Sequence, residues 1–165
     1  HGGLGNQEIN PQTQRIFDTG SSLETRMDKY LRKAGIFLAS EQTVKLESPP
    51  ISGRYDFLIR YKSTDRAIVE LKSINTRGFE ALIDSPKSDH SVQLQIYLNL
   101  LGVKNGIVVY ENKNDQELKA FKVQQNADEW GAILERCIKI QYMSVNDVPT
   151  GCTGAFYCAC REVKQ

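Results

Sequence analysis

AIVELKS, the sequence of residues 67–73, combines an apolar, β-favouring run with a carboxylate and an ammonium two positions apart. Side chains alternate between the two faces of a strand, so Glu70 and Lys72 point to the same face. Opposite charges inside a buried strand are costly unless each has a partner or a metal ion. The pattern therefore indicates a functional site on a buried strand, with a charged face on an exposed hairpin as the alternative interpretation.

The apolar run that precedes this strand carries a carboxylate of its own. Residues 54–61 and 67–73 are both β-favouring, and KSTD at 62–65 predicts a turn between them. Such a hairpin makes the two strands antiparallel neighbours and brings Asp56 beside Glu70. Two converging carboxylates form a hard-oxygen site suited to Mg²⁺ or Mn²⁺.

The Glu-x-Lys pattern occurs four times, and its surroundings distinguish the first occurrence from the others. Glu70-Leu71-Lys72 lies between apolar neighbours, after a strand with a buried-looking Asp. The triplets that start at Glu111, Glu117 and Glu162 fall in a turn, on a solvated strand face and in a tail. Only the first triplet therefore predicts a site.

The rest of the chain predicts an α/β fold with a central mixed β-sheet flanked by helices. Residues 1–19 are expected to form an irregular arm, residues 74–89 show no clear pattern, and residues 143–165 form a cysteine-containing tail. Helical spacing and strand patterns assign helices to 21–34, 90–101 and 127–142, and further strands to 42–46, 107–110 and 118–123.

Length and composition describe one ordinary domain without a global basic field. The 165 residues fit a single core, and 21 Lys+Arg against 20 Asp+Glu give a net charge of +1. No apolar run approaches the roughly 18 residues that span a bilayer, and no secretory pattern opens the chain. We therefore expect a cytoplasmic protein without a membrane partner, whose nucleic-acid contacts would come from a local patch.

Four cysteines are confined to the last part of the chain, which is not the spread of a disulfide framework. They indicate reduced thiols or a terminal metal-ligand set. The residues are Cys137, Cys152, Cys158 and Cys160.

A polar stripe on the helix over 90–101 completes a recognisable pattern. Gln93 and Tyr97 are four residues apart and share a helix face, with His90 three residues before Gln93. The succession of Asp56, Glu70-x-Lys72, Gln93-x-x-x-Tyr97 and a strand that ends in YENK at 110–113 resembles the PD-(D/E)XK nuclease superfamily. The resemblance is to its RecB-like and lambda-exonuclease-like branch, which includes the CRISPR adaptation nucleases, and it covers roughly residues 16–123.

This resemblance implies a restriction-endonuclease-like core and a Mg²⁺- or Mn²⁺-dependent deoxyribonuclease, either an exonuclease or an endonuclease. By the same likeness Asp56, Glu70 and the Leu71 carbonyl hold the metal, and Lys72 orients the nucleophile. Gln93 and Tyr97 hold the active site and the DNA backbone.

Two positions depart from the pattern of that branch. Tyr55 stands in place of the Pro before the acidic residue, and Glu24 stands where the RecB-like branch has a metal-binding His. We expect Glu24 to act as a further metal ligand. The alternative is that Glu24 lies in the first turn of a helix, where the macrodipole favours a carboxylate.

DNA is the partner that the resemblance implies, in phage or bacterial repair or recombination. Related enzymes form rings or fuse to helicases, so a homo-oligomer or a recombination partner is also compatible with it. The candidate phosphate contacts are Arg26, Arg54, Arg77, Lys87 and His90.

Two other functions stay open at this point. One is a non-catalytic nucleic-acid-binding or assembly module on the same fold. The other is a cysteine-ligated metal module, since some RecB-like nucleases carry an iron-sulfur cluster. Such a cluster would have to use Cys137, because no cysteine precedes it.

Overall fold

The computed structural model describes residues 10–143, which form a five-stranded mixed sheet between helices. The helices in this range are α1 (Pro11–Lys33), α2 (Thr76–Glu80), α3 (Ser88–Leu101) and α4 (Ala127–Gln141). The strands are β1 (Phe37–Ser40), β2 (Thr43–Leu46), β3 (Ile51–Arg54), β4 (Phe57–Tyr61), β5 (Asp65–Ile74), β6 (Asn105–Asn112) and β7 (Leu118–Gln124).

The sheet has the strand order β1-β4-β5-β6-β7, with β5 at its centre. The β5–β6 pair is parallel and the other pairs are antiparallel, so the mixed sheet predicted from the sequence is confirmed. The predicted hairpin is also confirmed, because β4 and β5 pair with Phe57 opposite Val69 and Tyr61 opposite Asp65.

Part of the strand assignment was wrong. The apolar run 54–61 is not one strand, since it is interrupted at Tyr55 and Asp56. The strand predicted at 42–46 pairs with β3 in a separate two-stranded hairpin rather than in the main sheet. This hairpin packs toward α3, and Gly53 of β3 lies against Tyr97, a residue of the candidate site.

The two faces of the sheet support two separate apolar cores, as expected for helices packed on both sides. Helix α1 packs with Leu23 and Leu31 against Val69 and neighbouring side chains on one face. Helix α3 packs with Leu94 and Leu98 against the other face, which also carries Glu70 and Lys72 because side chains alternate along β5.

The first helix begins earlier than predicted, at Pro11, so the expected irregular arm is wrong for residues 11–19. Asn10 caps this helix, since its side chain accepts a hydrogen bond from the Thr13 N–H at 2.8 Å. Proline is tolerated at the first helical position because its missing N–H would have had no partner there. Residues 1–9 and 144–165 lie outside the described part, together with Cys152, Cys158 and Cys160.

The stretch without a clear sequence pattern, 74–89, contains the short helix α2. Among the helices between residues 10 and 143, none combines the length and apolar character needed to cross a membrane.

Candidate active site

The site begins where β4 stops pairing with β5. The last β4–β5 pair is Phe57 with Val69, and extending that register by one residue places Asp56 opposite Glu70. The chain bends at Asp56, and its Oδ2 accepts a hydrogen bond from the Leu71 N–H at 2.7 Å. In an extended strand the N–H and C=O of one residue point to the same edge, so the Leu71 carbonyl also faces this gap.

Glu70 is the centre of the site and is buried, with 1% of its surface exposed. Its Oε1 accepts hydrogen bonds from Lys72 Nζ at 2.7 Å and from Gln93 Nε2 at 2.8 Å. Its Oε2 is buried without a hydrogen-bond partner among the described residues. Burial, together with the charge of Asp56, raises the pKa of Glu70 to about 7, although Lys72 opposes that change.

Gln93 connects helix α3 to the charged pair on β5. Its Oε1 accepts a hydrogen bond from Lys72 Nζ at 3.1 Å, and its Nε2 also donates to the Tyr97 hydroxyl at 3.0 Å. Lys72 is thereby held by two acceptors, and Tyr97 is buried beneath the site. The structure therefore brings together all five residues that the sequence singled out as catalytic, namely Asp56, Glu70, Lys72, Gln93 and Tyr97.

Glu24 reaches the site region from α1. It lines a pocket of about 360 Å³ together with Asp28 and Glu41. Partial burial raises the pKa of Glu24, and the charges of Asp56 and Glu41 raise it further. Because α1 starts at Pro11, Glu24 lies in mid-helix, and the alternative of a first-turn carboxylate favoured by the macrodipole is wrong.

The carboxyl group of Asp56 has a pKa above its ordinary value. Burial raises the pKa of its carboxyl group, whereas the hydrogen bond from the Leu71 N–H and the charges of Lys72 and Arg54 lower it. Glu24, Asp56 and Glu70 therefore repel one another in this region, a cost that a cation would remove.

The candidate phosphate contacts have different environments. Arg26 is tied to Glu111 by an ion pair, and Arg54 lies 3.1 Å from Glu41. Arg77 is exposed on α2, without a hydrogen bond or ion pair to the site residues in the described range. Lys87 is the N-cap residue of α3, and His90 lies in its first turn.

The described residues do not support the hypothesis of a cysteine-ligated metal module. Cys137 is half-buried and free on α4, where it lines a groove between α3 and α4. Between residues 10 and 143, no group of three or more His, Cys, Asp or Glu side chains is placed to hold a metal ion. A cation at the site would therefore need the Leu71 carbonyl beside the Asp56–Glu70 pair.

Two residues beside the site were given no role by the sequence analysis. Tyr110 lies opposite Lys72 in the parallel β5–β6 pair, and no sequence signal gives that register. Glu41 adopts a positive φ of 52°, which is uncommon for a residue other than glycine, and its N–H donates to the Asp56 carbonyl at 3.1 Å. Its position depends on the turn between β1 and β2, which was not predicted.

The fold is shared with solved structures of other proteins, one of which is an alkaline exonuclease. The chain is similar to the crystal structure of an alkaline exonuclease, LHK-Exo, from Laribacter hongkongensis, with a TM-score of 0.58 and 20% identity over 81% of this chain and 68% of the exonuclease. The complex of LHK-Exo with dAMP gives a TM-score of 0.62 at 20% identity, over 83% of this chain and 70% of the other.

A third similar structure is that of SSO0001, with a TM-score of 0.54 and 24% identity over 77% of this chain. The aligned region spans 61% of the length of SSO0001. No protein-family profile matches the chain, and no curated protein sequence matches it. At these identities the likeness establishes the fold.

Proposed function

We propose that this chain is a Mg²⁺- or Mn²⁺-dependent deoxyribonuclease that hydrolyses DNA phosphodiester bonds, as an exonuclease or an endonuclease. The observation that carries the proposal is the buried Glu70 Oε2, which has no hydrogen-bond partner among the described residues. A buried carboxylate oxygen without a partner is costly, and a metal ion is the partner that removes the cost. Asp56 stands opposite Glu70 and supplies a second carboxylate.

The donor set fits a hard divalent cation. Asp56, Glu70 and the Leu71 carbonyl would hold it, with Glu24 as a further carboxylate on the α1 side. When bound, such an ion supplies activation of water near neutral pH and neutralisation of charge on the phosphate.

Lys72 supplies a positive charge in the proposed mechanism, and Gln93 positions it. Lys72 Nζ is fixed by Glu70 Oε1 and Gln93 Oε1, so its positive charge is oriented before the substrate arrives. A fixed cation stabilises negative charge that develops on the phosphate in the transition state. Gln93 is itself fixed by Tyr97, which is buried against Gly53 of β3.

DNA is the substrate that the comparisons favour. The similar exonuclease LHK-Exo was crystallised with dAMP, a nucleoside monophosphate. The same chemistry in this chain would place a nucleotide phosphate near Asp56, Glu70 and Lys72. Exonuclease or endonuclease action, strand preference and any repair or recombination partner are further parts of this proposal.

Incubation of the purified chain with linear and closed circular DNA tests the proposal. We expect degradation in Mg²⁺ or Mn²⁺ and none in EDTA, with Asp56→Asn as a matched inactive control. Degradation of only the linear substrate would identify an exonuclease. Degradation in EDTA, or none with either ion, would overturn the proposal, and metal-independent DNA binding without cleavage would favour the non-catalytic module.

A further inference from the structure

A buried tyrosine on the far side of Lys72 from Asp56 has no part in the chemistry above. Tyr110 is fully buried on β6, opposite Lys72 and on the same face of the sheet. Its hydroxyl oxygen accepts a hydrogen bond from the Lys87 N–H at 3.0 Å and lies 2.7 Å from His90 Nδ1. These groups connect the start of α3 to the sheet beside the site.

The position of the proton between Tyr110 and His90 follows from hydrogen-bond accounting. A phenol has one proton to donate, and His90 Nδ1 is the acceptor within reach of Tyr110 in the described residues. If Nδ1 carried a proton instead, the Tyr110 hydroxyl would be a buried donor without an acceptor among the described residues, which is unfavourable. Tyr110 therefore donates to Nδ1, and the neutral ring carries its proton on Nε2.

The surroundings of His90 keep the ring in this state. Its side chain is 19% exposed and its ring packs on that of Tyr110, with 5.5 Å between centroids. Burial lowers the pKa of His90, and the charges of Lys72 and Lys87 lower it further against the opposing effect of Asp89. The Nε2 atom lies 3.8 Å from Asp89 Oδ2, beyond hydrogen-bond distance, so its N–H is free for another acceptor.

We propose that Tyr110 fixes His90 as the Nε2–H tautomer and that this N–H donates a hydrogen bond to a phosphate oxygen of DNA bound beside Lys72. His90 lies three residues before Gln93 on α3, which places it on the same side of the helix as the site. A neutral donor binds phosphate without adding a charge next to Lys72. The DNA contact depends on the proposed nuclease function, whereas the tautomer does not.

Nitrogen NMR of the ¹⁵N-labelled, metal-free protein tests the tautomer. The chain has two histidines, so His90→Gln assigns the His90 signals by their disappearance. We expect an unprotonated Nδ1 and a protonated Nε2 in the wild type, and a mixture of tautomers in Tyr110→Phe. A proton on Nδ1 in the wild type would overturn the proposal whatever the protein does to DNA.

Binding of a 12-base-pair duplex in Ca²⁺ tests the contact, with fluorescence anisotropy and the His90 nitrogen shifts as readouts. Glutamine can place an amide N–H at the reach of Nε2, so His90→Gln should keep the Kd within about threefold, whereas His90→Ala should weaken it about tenfold. Equal affinities for wild type and His90→Ala, or His90 shifts unmoved at saturation, would overturn this part. If no variant binds duplex, the proposed function and this contact fail together, and the NMR result still decides the tautomer.

Discussion

Lys72 is held by two acceptors and faces the same side of β5 as Glu70. We expect Lys72→Ala to reduce cleavage about 10²- to 10³-fold, because it removes a preorganised cation from the transition state. Metal binding should persist, since Lys72 is not a ligand and Gln93 still donates to Glu70 Oε1. Cleavage rates and calorimetric Mn²⁺ titration measure the two effects, and turnover close to that of the wild type would refute the role assigned to Lys72.

Glu70 gives the metal-free protein a specific pH dependence. Its pKa is about 7 in the folded state against 4.5 for the ordinary group, so the folded protein binds more protons between these values. Stability in EDTA should therefore fall as pH rises from 4.5 to 7, by about 2–3 kcal/mol. Urea denaturation across this range measures the fall.

Glu70→Gln serves as the control for this pH effect because it keeps the side-chain shape without the titrating group. Its stability should change much less with pH over the same window. If the stability of the wild type in EDTA rises toward pH 7, Glu70 is already ionised when no metal is bound.

Glu24 lies in mid-helix and shares a region with Asp56 and Glu41. We expect Glu24→Ala to weaken Mg²⁺ and Mn²⁺ binding, and Glu24→His to shift the preference toward Mn²⁺, because imidazole suits Mg²⁺ poorly. Activity measured against metal concentration tests both variants.

Asp28→Asn is the matched control for Glu24. Asp28 lines the same pocket but is paired with Arg32 at 2.7 Å, so its loss should leave the metal dependence unchanged. If the wild type and both Glu24 variants show the same activity at every metal concentration, Glu24 is not a metal ligand. The centre would then contain two carboxylates, Asp56 and Glu70.

At the scale of elements, the hairpin of β2 and β3 supports the site through Gly53. A Cβ at this position would lie 2.7 Å from Tyr97 Cε1 and 3.0 Å from its hydroxyl oxygen. Tyr97 is buried and cannot move aside freely, so Gly53→Ala should destabilise the protein by about 1–3 kcal/mol. It should also slow cleavage by displacing the Tyr97 hydroxyl from Gln93.

Gly20→Ala provides the matched substitution for Gly53→Ala. Gly20 lies inside α1 with open space around the position of a Cβ, so alanine there should stabilise the protein by about 0.5–1 kcal/mol. Urea denaturation compares both variants with the wild type. Equal stability of Gly53→Ala and the wild type would show that β3 and α3 adjust to each other.

The sequence predicted the helices and strands whose apolar spacing reflects burial in the core. Helix α3 packs on the sheet with Leu94 and Leu98, and its apolar spacing predicted it to within two residues. The first three turns of α1 lie before Leu23, the first core residue of this helix among those whose burial is described, so hydrophobic spacing gives little signal there. The Asn10 cap and Pro11 begin the helix locally, and the Asn, Gln and Thr around them also occur in loops.

The residues of the candidate site could be identified from the sequence, but their arrangement in space could not. Alternation along β5 placed Glu70 and Lys72 on one face, and the 62–65 turn brought Asp56 to them. The break of the 54–61 run at Tyr55 and Asp56 has no clear signature, because the run contains neither Gly nor Pro. Because of that break, the backbone of Leu71 has no strand partner on the β4 side. The position of the break depends on the β2–β3 hairpin, which is a tertiary feature.

At the scale of the whole molecule, the small net charge limits the affinity for DNA. The chain carries +1 overall, and two candidate phosphate contacts are already paired, Arg26 with Glu111 and Arg54 with Glu41. Nonspecific affinity depends on the number of phosphates that cations neutralise. Among residues 10–143, Lys72 and Lys87 lie beside the proposed phosphate positions, so few counterions should be released on binding.

We therefore expect weak binding with a shallow salt dependence, a slope of log K against log salt of about −2 to −3. Lys87→Gln should reduce that slope by about 1, whereas His90→Gln should leave it unchanged because His90 binds as a neutral donor. Lys104→Gln is the control, since Lys104 precedes β6 at the end of the sheet opposite the site. Anisotropy of a labelled duplex in Ca²⁺ from 25 to 200 mM NaCl measures the slope, and a value steeper than about −5 would require a phosphate-binding surface well beyond Lys72 and Lys87.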